Sequence, residues 1–327
     1  MKLSFKKVPG LMWGSILMVV FFMIFAPNYM TQRNIVNILQ NSAILLIVSM
    51  GMGITILSGQ IDMSIGGVMT VSAVVAAVYL SQFEDPTTAQ LFITLLIGIG
   101  TGCVFGFLNG ILISKFNFNF WLVTFAMMSI SYGFARVFTD GKVFSGFSKS
   151  FRNITRMKIL GIPNVVIIAI VVSLIMFFLT YKTRFGMHLY AVGDSEKCAK
   201  RCGINVALVR FLIYFISGLL AGFGGVLLLS KGNLASANVA TGQEFTAMAN
   251  VIIGGTSFEG GKGGLFGTFA GTIILAAVLN GLQLMGLSNY LQQVFTGAII
   301  LGIIIAEVVS ASVNKQNNLR RKYKDED

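Results

Sequence analysis

Six ionisable side chains fall inside or at the edges of long apolar stretches: Asp62, Arg136, Lys231, Glu244, Glu259 and Glu307. A charge in hydrocarbon is costly unless it is paired or wetted, so each is a candidate for function. Arg136, Lys231 and Glu307 lie near the ends of their stretches, where a long side chain reaches the interface. Asp62 sits in Ser58-Gly59-Gln60-Ile61-Asp62-Met63-Ser64-Ile65-Gly66-Gly67. Asp62 and Ser64 read either as the cap of the next helix or as part of a transport path. Covalent chemistry would need His, Asp, Glu or Cys converging on one face. The chain has one histidine, His188, and three cysteines. Cys198 and Cys202 stand one helical turn apart, Cys103 far from both, with no ligand set of zinc-like spacing around them. No metal site and no enzyme are expected.

Gly254-Gly255-Thr256-Ser257-Phe258-Glu259-Gly260-Gly261-Lys262-Gly263-Gly264 looks at first like a phosphate loop. The nucleotide motif needs G-x-x-x-x-G-K-[ST]. Here Thr256 stands at the first glycine position and Gly263 follows Lys262. This chain is not expected to bind ATP itself. Uncharged hydrogen-bonding side chains are more numerous within the apolar stretches: Asn109, Thr124, Ser129, Gln243, Asn250, Asn280 and Gln283. Such groups could line a path for an uncharged polar solute. The alternative for each is a hydrogen bond between helices.

The elements that must position these residues are membrane spans. Of 327 residues, 55% are hydrophobic and 11% charged, against about 25% charged in soluble domains. We expect an all-α polytopic membrane protein forming one transmembrane domain over 1–327. The hydropathy predicts about ten spans, some short or broken: 11–27, 42–59, 64–81, 91–114, 119–138, 163–181, 208–230, 240–257, 265–286 and 291–312. Lys2, Lys6 and Lys7 precede the first, and Pro27-Asn28-Tyr29 offers no cleavage site, so it is expected to stay. With that end in the cytoplasm, the link 182–207 and the basic tail 313–327 also fall inside, as the excess of cations there requires. The link 139–162 disagrees. It falls outside yet carries Lys142, Lys149, Arg152, Arg156 and Lys158. Either it is basic in order to dock a partner, or the span count is off by one on each side of it.

Within the link 182–207, Asp194 or Ser195 can cap a short helix that Gly203 ends. A polar helix held on the cytoplasmic face suits a docking surface. Several segments together resemble one family. Asn34-Ile35-Val36-Asn37-Ile38-Leu39-Gln40 is similar to the segment after its first span, and Gly59 to Gly67 to its Gly-Ile-Asp-Leu-Ser-Val-Gly signature. Thr183-Arg184-Phe185-Gly186, Tyr190-Ala191-Val192-Gly193 and Gly203-Ile204-Asn205 follow its cytoplasmic coupling region, and Gly254 to Gly263 its Gly-Gly-Thr-Ser-x-x-Gly-Gly-Lys-Gly motif. The chain resembles, over nearly its whole length, the permease subunit of ribose-type ABC importers, which take up ribose, other monosaccharides and autoinducer-2. Gln60 and Asn117-Phe118-Asn119-Phe120 depart from the family pattern, as do Lys197 and Cys198.

The resemblance implies a type II-like permease in a cell membrane. Two permease subunits, identical or paralogous, would form the pathway. An ATPase subunit would bind the ATP and dock on 186–205, through Gly193, Glu196, Ala199, Gly203 and Ile204. A periplasmic or lipid-anchored sugar-binding protein would dock outside on Lys142, Lys149, Arg152, Arg156 and Lys158. Asp62, Ser64, Asn109, Thr124, Gln243, Asn250 and Asn280 would line the path. Rival expectations are a permease for another small solute (autoinducer-2, a nucleoside or an amino acid) and an ion-coupled secondary transporter using Asp62 and Glu244.

Overall fold

A computed structural model describes residues 10–288, 290–302 and 305. The helices in order are α1 (Gly10–Phe25), α2 (Gln32–Leu57), α3 (Ile65–Leu80), α4 (Thr88–Ser114), α5 (Phe120–Thr139), α6 (Lys149–Arg156), α7 (Asn164–Lys182), α8 (Arg184–Asp194), α9 (Glu196–Arg201), α10 (Val206–Gly232), α11 (Gln243–Ile253) and α12 (Leu265–Leu284), followed by α13 (Tyr290–Gly302). Four two-residue strands interrupt them: β1 (Phe144–Ser145), β2 (Lys158–Ile159), β3 (Ile162–Pro163) and β4 (Leu234–Ala235). β1 pairs antiparallel with β4, and β2 with β3.

Among the described residues, six helices are long and apolar enough to cross a membrane: α2, α4, α5, α7, α10 and α12. The other expected spans are shorter. α3 has 16 residues and α11 only 11, so the end of the expected span 240–257, residues 254–257, is loop. α2 starts ten residues before the expected position 42. Thr31 caps it, its hydroxyl accepting from Asn34 N at 3.3 Å. Asn34, Asn37, Gln40 and Asn41 fill its first turns, and these polar residues hide the start of the helix from a hydropathy reading. The expected tail 313–327, Lys2, Lys6, Lys7 and Glu307 lie outside the described residues.

α10 runs through the centre of the bundle, and its tightest neighbour is α4. A Cβ built on Gly102 would lie 2.3 Å from Gly218 O, and one on Gly218 would lie 2.5 Å from Gly102 O. Small residues let helix backbones approach this closely. Gly98, Gly106 and Gly222 extend the seam, whereas Gly100 meets nothing within 4 Å and faces outward. Gly224 and Gly225 pack instead against Val48 of α2 and Met69 of α3.

The helices define two ends. The proximal end carries α8 and α9. The distal end carries α6 and the β1–β4 and β2–β3 pairs, and α10 joins the two. The loop 140–163 therefore lies at the end opposite 183–205. Two connections are not helical at depth. Ser217, the hydrogen-bond partner of Asp62, lies about 17 Å along α10, a helix of about 40 Å. The chain thus turns back from Leu57 at the proximal end and starts α3 near mid-depth. Likewise 254–264 descends from the end of α11 to the proximal end, where Gly261 N donates to Leu57 O at 2.9 Å. Irregular backbone at such depth is tolerated when protein covers it, and Ile61, Asp62, Met63 and Ser64 are all buried.

Candidate functional site

A cavity of about 210 Å³ opens in the distal half between α2, α3, α10, α11, α12 and α13. Ile44, Leu45, Met69, Leu228, Ala276 and Leu279 give it an apolar wall. Its polar lining is Asn41, Lys231, Gln243, Asn280, Gln283 and Gln292. The structure thus brings together three residues expected on the path, Gln243, Asn280 and Gln283. Asn34 Nδ2 orients Asn280 by donating to its Oδ1 at 2.8 Å. Sequence reasoning missed the other three. Lys231 does not simply reach for the interface. Its Nζ donates to Asn41 Oδ1, and the side chain borders the cavity. The signal for Asn41 lay in the misplaced start of α2, which left that residue outside a helix.

The remaining expected path residues lie elsewhere. Asp62 is buried and bonded on both oxygens. Its Oδ1 accepts from Ser64 N at 3.0 Å and Ser64 Oγ at 2.6 Å, and its Oδ2 accepts from Ser217 Oγ at 2.7 Å. Asn109 Nδ2 donates to Ser64 Oγ at 2.9 Å. Ser64, not Asp62, stands at the cap position of α3. This cluster ties α3, α4 and α10 together and is sealed from the cavity. Asn250 Nδ2 donates to Ser49 Oγ at 2.9 Å, an interhelical bond. Thr124 donates to Phe120 O within its own helix at 2.8 Å, and Ser129 lies on the exposed face of α5.

At the proximal end the predicted capping is present. Ser195 Oγ accepts from Cys198 N at 3.3 Å and starts α9, and Gly203 at φ +80° ends it. A second helix, α8, precedes it. Asn205 caps α10 through Leu208 N at 3.0 Å. Glu196 receives Lys200 Nζ at 2.7 Å and Arg210 Nη2 at 2.5 Å, which clamps α9 to α10. The bond to Lys200 chiefly holds its carboxyl below the ordinary glutamate value, and the Arg210 charge adds to that. Gly203 is exposed and Ile204 half-buried. Ala199 is corrected: it is 3% exposed and packs inward on Val192, Val206 and Val209, so it has no side chain to offer a partner. Gly193 also faces inward. A Cβ there would lie 2.0 Å from Leu57 O and 2.6 Å from Gly261 N, and one on Gly260 would lie 2.7 Å from Gly59 Cα and 2.9 Å from Gly193 O. The end of α8, the turn before α3 and the glycine-rich loop before α12 thus meet backbone to backbone. Tyr190 adds to this junction by donating to Gly263 O at 3.0 Å.

At the distal end Lys142, Lys149, Arg156 and Lys158 are exposed and Arg152 is half-buried. Asp140 pairs with Lys142 at 3.5 Å. The Arg156 guanidinium donates to Lys231 O at 3.2 and 2.6 Å, fixing α6 over the end of α10. Among the described residues no three His, Cys, Asp or Glu side chains group as they would around a metal ion.

Residues 34–304 match the family described as branched-chain amino acid transport system / permease component. The ribose import permease protein RbsC of Bacillus subtilis is 34% identical over 90% of this chain and 90% of its own length. The protein of that name from Escherichia coli K12 is 31% identical over 86% and 88%. The D-allose transport system permease protein AlsC of Escherichia coli K12 is 32% identical over 88% and 87%. With its apolar helices and these full-length matches, the chain is a multi-pass membrane protein that belongs to this permease family, among the ribose-type permeases of ABC importers.

Proposed function

We propose that the chain is the membrane-spanning subunit through which an ABC importer carries a monosaccharide, with ATP hydrolysed on a separate subunit. The observation that carries this reading is the cavity: amide side chains converge on a space of about 210 Å³ inside an otherwise apolar bundle. Amides donate and accept, which matches a ring of hydroxyl groups. The relatives named for ribose and allose support the same cargo class.

In this reading the proximal end faces the cytoplasm. The exposed surface of α9, with Gly203 and Ile204, receives the ATPase. Its motion passes through the Gly193 junction to the two non-helical segments, the coupling between sites that allostery requires. The short helices α1, α3, α11 and α13 complete about ten crossings with the six long ones, in a type II-like permease. A second permease subunit closes the pathway, and a binding protein delivers the sugar to the distal face.

The test is reconstitution of the permease in proteoliposomes with its ATPase and binding protein. Uptake of a radiolabelled sugar should need ATP and all three components. Uptake that persists without the ATPase, driven by an ion gradient, would replace this reading with a secondary transporter.

A further inference from the structure

The cavity is not neutral. Lys231 borders it, and among the described residues no carboxylate lies within 4.0 Å of its ammonium group. Its one hydrogen-bond partner, Asn41 Oδ1, is uncharged. A charged neighbour the structure shows is another cation, the Arg156 guanidinium, which donates to the Lys231 carbonyl. Glu244 follows Gln243 in the chain but turns away. Its Oε2 lies where a Cβ on Gly66 would be, close to the Tyr132 hydroxyl. Among the described residues no acid lines the cavity. An ammonium group has three donors, so Lys231 has hydrogen-bonding capacity beyond Asn41. A buried or half-buried cation is normally paired. The cavity beside it is otherwise lined by amides that suit hydroxyl groups.

The approach is cationic as well. Arg33 and Lys158 border a second, more open polar recess at the same end, and the loop 140–163 adds further cations. A surface of one sign above a low-dielectric cleft concentrates ligands of the other sign.

From this unpaired cation in an amide-lined cavity we propose that the cargo is an acidic monosaccharide, a sugar bearing a carboxylate, with Lys231 as its counter-charge and Gln243, Asn280 and Gln283 on its hydroxyl groups. The proposal rests on reading the cavity as the cargo site. One carboxylate satisfies one ammonium group, while a phosphate dianion would call for a second donor cation inside the cavity, and among the described residues none lines it.

The test needs no binding protein. Ala276 lines the cavity wall, and Ala276→Cys can be introduced after Cys103, Cys198 and Cys202 are replaced by alanine. The rate of its modification by a small neutral thiol reagent, on the permease in nanodiscs, reports occupancy. D-Galacturonate and D-galactose differ only in the carboxylate at one carbon. Galacturonate should protect at about tenfold lower concentration than galactose, the worth of one charge-assisted hydrogen bond. Lys231→Gln, which keeps a donor for Asn41, should abolish that preference, and Lys231→Arg should keep it. Equal protection by both sugars, or a preference that survives Lys231→Gln, would overturn the acidic cargo and leave the sugar path standing. Protection by neither, at any concentration, would remove the cavity as cargo site and the proposal with it.

Discussion

The carbonyl oxygen of Leu57 lies 2.0 Å from where a Cβ on Gly193 would stand. The last residue of α2 and the end of α8 are therefore in backbone contact, and any side chain on Gly193 must push them apart. Gly193→Ala should destabilise the fold by about 2 kcal/mol or more, the usual cost of overpacking against groups that cannot yield. Gly203 offers the contrast. It has open space around it, and φ +80° is its sole constraint. Gly203→Val meets no clash but strains the backbone at φ +80°, so it should cost only about 1–2 kcal/mol of stability while abolishing stimulation of the ATPase. Thermal unfolding in detergent and ATPase rates in the assembled transporter measure both. If Gly203→Val couples normally, α9 is not the docking element.

Asp62 should prove structural. Asp62→Ala strands three buried donors, Ser64 N, Ser64 Oγ and Ser217 Oγ, at about 1–3 kcal/mol each. Asp62→Asn keeps an acceptor oxygen and should lose less than half as much. Equal losses in thermal unfolding would mean that the hydrogen bonds do not hold the start of α3.

The α4–α10 seam makes a paired prediction about glycines in one helix. Gly102→Ala would put a methyl group 2.3 Å from Gly218 O and should separate the helices, lowering the yield of folded protein. Gly100→Ala meets nothing and should be neutral or stabilising by up to about 1 kcal/mol, the helix-propensity gain.

Acid should loosen α9. A carboxyl whose pKa is lowered on folding contributes stability that is fully present above its unfolded value, ordinarily 4.5 for glutamate, and loses it as pH falls through the folded value. Glu196 is of this kind, so amide exchange in α9 should rise below about pH 4.5 relative to the rest of the chain. Glu196→Gln should show the faster exchange already at pH 7 and little further change on acidification. The same exchange in both proteins at pH 7 would show that the clamp contributes nothing.

The distal cations should act on association. If Lys142, Lys149, Arg156 and Lys158 meet acidic rims of a binding protein, uptake should slow as salt rises, because exposed charges are screened over about 8 Å at physiological strength. Reversing Lys142 and Lys149 to glutamate should cut the on-rate and leave ATPase activity without the binding protein intact. Salt-independent uptake would remove docking as the reason for these charges.

Much of this fold was legible where one signal dominated. Long apolar runs gave α4, α5, α7, α10 and α12 to within a few residues, and Ser195 and Gly203 bounded α9. The start of α2 was not legible, because Asn34, Asn37, Gln40 and Asn41 are polar, although of these four only Asn34 is buried. The site was legible in part. Gln243, Asn280 and Gln283 stood out as amides in apolar surroundings, but Asn109 and Asn250 stood out equally and serve as braces. What separates them is the company they keep across the bundle, which spacing along one helix does not encode. Lys231 was set aside because position near a helix end explained it. That no acid opposes it among the described residues, visible once the helices are packed together, is what singles it out.

α3 has a consequence for how the protein is made. It is buried on nearly every side, chiefly by α4, α5 and α10, and 13 of its 16 residues lack exposure. Yet roughly 150 residues separate its end from the end of α10, a stretch that a ribosome adds in roughly ten to thirty seconds. For that interval α3 has lipid or an insertion factor where α10 will later stand, with Met69 and the Asp62 carboxylate uncovered. Its final place cannot be fixed as it leaves the ribosome; it is taken when α10 arrives and Ser217 reaches Asp62. The nascent chain is therefore expected to be most vulnerable to quality-control proteolysis between the synthesis of α3 and that of α10, and a stall in that window should yield fragments that are degraded rather than stored.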